Sequence, residues 1–169
     1  MPEFELDAEH LLRVLLSHGV KFVMIGGLAG VVHGSPFPTE DLDITPDRSA
    51  DNLVRLSHAL DELGARIRTE GVEGGLPFSH DGDSLAAVGV WSLVTPHGDL
   101  DISFVPNGTS GYGDLSSDAS DVAVFGLMVP VASLADIIRS KQAANRPKDQ
   151  RVLPVLRELL ASRFTERDR

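Results

Sequence analysis

The chain has 169 residues, a length that fits one domain with a core of its own. Apolar residues make up 42% and charged residues 24%, the ordinary balance of a globular protein. The absence of cysteine excludes disulfides, thiolate metal sites and a cysteine nucleophile.

The net charge of −10 argues against a general affinity for nucleic acid, but the charge is unevenly spread. Residues 1–138 carry 6 Lys/Arg against 21 Asp/Glu, whereas residues 139–169 carry 9 against 4. An acidic body with a basic C-terminal segment can hold cations in one place and phosphates in another, although a solvated helix face gives the same pattern. The acidic start, MPEFELDAEH, has no apolar core of signal-peptide type. No apolar run approaches the roughly 18 residues of a membrane span, so a cytoplasmic address is expected.

Along the chain, Asp7 caps a helix through AEHLLRVLLSH that stops at Gly19. KFVMIGG reads as a buried strand and LAGVVHG as a short helix behind it, before an irregular link at Gly34, Pro36 and Pro38. DLDIT is a short strand, Ser49 opens the helix ADNLVRLSHALDEL up to Gly64, and ARIRT is strand-like. Residues 70–84 read as loop, and AAVGVWSLVT, the turn PHG and DLDISFV form a β-hairpin. Residues 106–117 read as loop and VAVFGLMVP as one strand. Ser133 then caps a helix through LADIIRSKQAAN, and a last helix covers KDQRVLPVLRELLASR with Pro154 kinking or shortening it. The fold expected is a single mixed α/β domain over 1–169. Its central sheet is predominantly antiparallel or mixed and is flanked by helices. The core covers about 20–130 and a C-terminal helical segment about 131–165.

Asp41 and Asp43 alternate within a strand and so project from the same face. Two adjacent carboxylates repel unless a cation lies between them, and oxygen donors of this kind suit Mg²⁺ or Mn²⁺. An isolated acidic pair would more simply be the wet face of an edge strand. The alternation recurs at Asp99 and Asp101, in GDLDISF. Asp101, flanked by Leu100 and Ile102 as Asp43 is by Leu42 and Ile44, is the expected third ligand, and Asp99 is either its support or part of the turn. Three carboxylates can hold the two metals of an in-line phosphoryl transfer. Gly26 and Gly27, between a strand and a helix, let the backbone approach a triphosphate. Lys141, on the helix IIRSKQAANR, could neutralise the β- and γ-phosphates. His33 and His97 read as packing residues, Trp91 as structural, and Tyr112 as structural or able to stack on a base.

The order GG, TEDLDI and a later LDI resembles the DNA polymerase β-type nucleotidyltransferase superfamily. Within it, IGGLAGVVHGSPFPTEDLDIT with IIRSKQAANRPKDQRVLPVL is similar to nucleotidyltransferase toxins of the AbiEii and MenT types. The resemblance implies a nucleotidyltransferase fold with Asp41, Asp43 and Asp101 as metal ligands, Asp101 also serving as base. It implies Thr39 beside the nucleotide phosphates, Lys141 on the triphosphate and Asp149 completing the active centre. It further implies an NTP substrate, the 3′ end of tRNA as acceptor, a block on translation and a cognate antitoxin. Arg146, Lys148 and Arg151 are the expected RNA contacts. Pro38 stands where many relatives have arginine, which throws phosphate binding onto Lys141, Arg146 and Lys148. Competing expectations are transfer to a small hydroxylated molecule such as an aminoglycoside, transfer to a protein, and a non-catalytic nucleotide-binding module.

Overall fold

The computed structural model describes residues 5–167; the remaining ends of the expected domain and of its basic tail lie outside the described residues. In chain order the elements are α1 (Ala8–Ser17), β1 (Phe22–Ile25), α2 (Gly26–Val32), β2 (Asp41–Pro46) and α3 (Ala50–Leu63). Then come β3 (Arg66–Thr69), β4 (Val72–Leu76), α4 (Gly82–Ala86), β5 (Val90–Thr95) and β6 (Gly98–Ser103). Last are α5 (Tyr112–Asp118), β7 (Ser120–Val124), β8 (Leu127–Val131), α6 (Leu134–Ala144) and α7 (Pro147–Arg167). The fold is the expected mixed α/β arrangement. Its strands form one sheet in the order β4-β3-β5-β6-β2-β1-β8-β7.

Two pairings in this sheet are parallel, β2 with β6 and β1 with β8, and the others are antiparallel. The β2–β6 pairing matters most, because it aligns Asp41 with Asp99 and Asp43 with Asp101. Leu42, Ile44, Leu100 and Ile102 alternate with these acids and are fully buried. Burial of that apolar row fixes the register, since a slip of one residue in either strand would drive its two carboxylates into the core. Behind it α1 packs against α3 and β2. Asp7 caps α1 by accepting from the His10 N–H at 3.1 Å, and Gly64 ends α3 in the left-handed conformation at φ 62°.

The structure departs from the sequence expectations in four places. Residues 70–84 contain β4 and α4. The glycines that suggested loop are needed in the strand, because a Cβ on Gly75 would lie 2.5 Å from the Ile67 carbonyl oxygen and 2.7 Å from Val94 Cγ1. In α4, Asp81 and Ser84 form a reciprocal capping box. Residues 112–118 are helical despite weak propensity, since the element buries Leu115. Residues 122–130 are a hairpin, turned at Phe125 and Gly126 with φ 52° and 76°. Pro154 does not shorten the last helix, which runs for 21 residues from Pro147 and buries Leu153 and Leu156. Packing along α6 offsets the one backbone hydrogen bond proline removes. No helix among the described residues is long and apolar enough to cross a membrane.

Candidate active site

Strands β2 and β6 carry Asp41, Asp43 and Asp101 into a cleft of about 600 Å³. Oxygens of Asp41, Asp43 and Asp101 all lie within 4.8 Å of one another, and this trio is the group of acids among the described residues that is arranged to hold a metal. Asp99 is outside it, on β6 beside Asp41, with its carboxylate 3.0 Å from Arg68. The cluster is partly buried, which is where like charges are costly. The Asp43 carboxyl is pushed up to about 7, first by burial and then by the charges of Asp41 and Asp101, with Lys148 pulling the other way. Asp101 is raised to about 6, because burial and Asp41 outweigh the hydrogen bond and charge supplied by Arg68. A partly dry set of three hard oxygen donors that cannot comfortably ionise together fits Mg²⁺ or Mn²⁺.

The two glycines at the start of α2 are close-approach residues. Gly26 has φ +74°, and a Cβ there would overlap the Asp43 carboxylate. A Cβ on Gly27 would meet Thr39 Oγ1 at 2.9 Å. Thr39 in turn donates to the Asp41 carbonyl oxygen at 3.0 Å, which ties the irregular 33–40 link to the head of β2. Gly26, Gly27 and Thr39 all line the cleft.

Lys141, Arg146 and Lys148 line the same cleft from the α6–α7 side. Asp149 does not line it. Its carboxylate is fully buried and accepts from Arg146 Nε at 2.7 Å and the Arg146 backbone N–H at 3.1 Å, with Lys141 Nζ 3.7 Å away. Burial works against its charge, but the Arg146 hydrogen bonds and the two cations hold it below the usual carboxylate range. Asp149 thus lies between Lys141 and Arg146, behind the cleft wall and not in it. Asn145, left-handed at φ 51°, makes the turn that brings α7 back alongside α6. Arg151 is exposed on α7 and lies outside the cleft lining.

Arg68, on β3, escaped the sequence reading. It contacts Asp101 at 2.5 Å and Asp99 at 3.0 Å. The one available signal was the alternation of Arg66 and Arg68 in ARIRT, which puts both on one face of a strand. The remaining candidates are structural. His33 bonds the Ala132 carbonyl at 2.8 Å, and burial lowers its pKa. His97 stacks on His10 at 3.7 Å, Trp91 donates to the Leu85 carbonyl at 3.0 Å, and Tyr112 packs on the core.

No family model matches this chain, and no curated protein matches it in sequence. Solved structures do. The lincosamide antibiotic adenylyltransferase LnuA, with lincomycin bound, superposes with TM-score 0.60 at 15% identity, over 90% of this chain and 95% of that one. The fold is that of a nucleotidyltransferase. The antibiotic-resistance factor ANT(2″)-Ia shares this nucleotidyltransferase fold, with TM-score 0.54 at 15% identity over 95% of this chain and 92% of its own. Its complex with adenylyl-2″-tobramycin gives TM-score 0.51 at 15% identity, over 93% and 96%.

Proposed function

We propose that the chain is a metal-dependent nucleotidyltransferase that moves a nucleoside monophosphate from an NTP to an acceptor hydroxyl. The observation that carries this reading is the β2–β6 register, which converges Asp41, Asp43 and Asp101 in a cleft also lined by Gly26, Gly27 and Lys141. A divalent cation held by the three carboxylates would neutralise phosphate charge there. The glycine backbone admits the triphosphate, and Lys141, steadied by Asp149, neutralises its outer phosphates. Asp101 takes the proton of the acceptor hydroxyl. That oxygen bonds to the α-phosphorus as the bond from the α-phosphorus to the bridging oxygen breaks, and pyrophosphate leaves.

For the acceptor we favour a small hydroxylated molecule over RNA. Of the three basic residues expected to dock RNA, Arg146 is committed to Asp149 and Arg151 lies away from the cleft. The neighbours LnuA and ANT(2″)-Ia, matched over nearly their whole lengths, are named for antibiotics. The tRNA acceptor, the toxin role and the antitoxin rest on the sequence resemblance alone. The test is incubation of pure protein with each labelled NTP and Mg²⁺, in parallel with hydroxylated antibiotics and with total tRNA. Label on a small molecule and none on tRNA is the expected result. Label on tRNA alone reverses the acceptor assignment, and no label in either arm with any NTP removes the catalytic reading.

A further inference from the structure

The third carboxylate of the trio is already engaged. Arg68 Nη2 donates to Asp101 Oδ1 at 2.5 Å, and Nη1 lies 3.0 Å from Asp99 Oδ2, so one guanidinium spans two alternate acids of β6. Nη1 also donates to the Leu93 carbonyl at 3.3 Å, which leaves the group little freedom to swing. The sheet explains how a side chain on β3 reaches β6, two strands away. β3 pairs with β5 so that Arg66 faces Val94 and Ile67 faces Leu93, and continuing that register sets Arg68 beside Ser92. Ser92 is paired with Asp101, and Asp101 with Asp43. Arg68, Ser92, Asp101 and Asp43 thus form one row across four strands, on one face. Two strand spacings amount to about 9.6 Å, a distance an arginine bridges only if the side chain between is small. Serine at position 92 meets that condition. The planar fork of arginine holds two carboxylates in a fixed geometry that the point charge of a lysine ammonium does not impose.

The structure assigns Arg68 as a positioning residue for Asp101. It fixes one carboxylate oxygen and leaves the other for the cation and for the proton of the acceptor. Arg68 thereby acts on the reaction through Asp101 and touches no reacting atom. This deepens the proposed function and rests on its reading of the trio. The competing possibility is that Arg68 is only a counter-ion for a metal-free acid cluster, displaced when metal arrives.

Mn²⁺ binding to the purified protein, read from the loss of the free-ion EPR signal, separates the two without NTP or acceptor. If Arg68 positions Asp101, Arg68→Gln weakens Mn²⁺ binding roughly tenfold and Arg68→Lys recovers only part of it, as for other supports of a metal ligand. Where transfer is measurable, kcat at saturating metal falls by a similar factor while KM for the NTP holds. Tighter Mn²⁺ binding by Arg68→Gln, with kcat intact at saturating metal, overturns the inference and leaves the proposed function standing. Absence of Mn²⁺ binding by the wild type overturns both. If circular dichroism shows the glutamine variant unfolded, Arg68→Lys decides alone: weaker Mn²⁺ binding supports the inference, and equal or tighter binding overturns it.

Discussion

The acidic strands β2 and β6 and the basic helices α6 and α7 face one cleft but are organised in opposite ways. On the strands the carboxylates are crowded against one another, and two of the three trio carboxyls are held well above their ordinary 3.8 although Arg68 pairs with Asp101. On the helices the cations are satisfied in advance, because the buried Asp149 sits between Lys141 and Arg146. One wall keeps its carboxyls raised even with the Arg68 guanidinium against Asp101 and Asp99. The other is pre-organised to keep its own charges in place. The contrast teaches that, on the proposed function, the acidic wall would be completed by a cation from solution, whereas the basic wall has its charges in place once the chain folds.

The sharpest way to break this comparison is at Asp43. Asp43→Asn should cut transfer by about 10³-fold or more, since it removes a ligand and a charge at the reacting centre. In the metal-free protein the same change should raise the melting temperature, because it relieves a buried, repelled carboxyl. Radiolabel transfer and thermal unfolding check the pair of effects, and a fall in both would mean that the acid is structural. Next comes Lys141→Ala, for which we expect kcat/KM for the NTP to fall about 10²-fold, with Lys141→Arg restoring part of it.

Asp149→Asn sharpens the other wall. Loss of a buried partner of two cations should cost about 2 kcal/mol in denaturant unfolding, less than a fully buried pair because Arg146 is half exposed. Smaller again is the pH dependence of the metal-free protein. Asp43 and Asp101 have folded pKa values above their unfolded ones, so the folded state binds more protons between about pH 4 and 7. Their contribution to stability therefore falls as pH rises through that window, and the melting temperature should drop by a few degrees between pH 5.5 and 8. Saturating Mg²⁺ should reverse that slope, since the cation needs the ionised acids. The smallest effect belongs to Arg151→Ala, which should leave transfer unchanged and shift stability by less than about 0.5 kcal/mol.

Much of the acidic wall was readable from the sequence because strand alternation is a local rule. Leu42 and Ile44 around Asp43, and Leu100 and Ile102 around Asp101, announce both strands and their wet face. That β2 and β6 pair in parallel, setting Asp43 beside Asp101, is not local information and had to come from the fold. The helices show the converse. Lys141 is visible as a cation on a half-apolar helix, and the i,i+3 spacing of Arg146 and Asp149 allows their pairing, but nothing local tells that Asp149 is buried between Lys141 and Arg146 or that Arg151 turns away. Charge is written in the sequence and partnership is not. Arg68 is the clearest case, since its contact with Asp101 crosses an intervening strand. The segments read as loop failed for another reason: glycine in β4 and a poor helix former in α5 are held by packing against local preference.

The parallel pairing of β2 with β6 also bears on how the protein comes to be folded. Asp43 and Asp101 are nearly sixty residues apart in the chain, and α3, the β3–β4 hairpin, α4 and β5 lie between them. Contacts of that separation carry a high loop-closure cost and form slowly. A nascent chain that has emerged only as far as β5 has the first two acids and no metal site. Binding of Mn²⁺ during refolding would therefore act as a clock for the moment β6 slots beside β2. With metal present that step should become harder to reverse, slowing unfolding far more than it speeds folding.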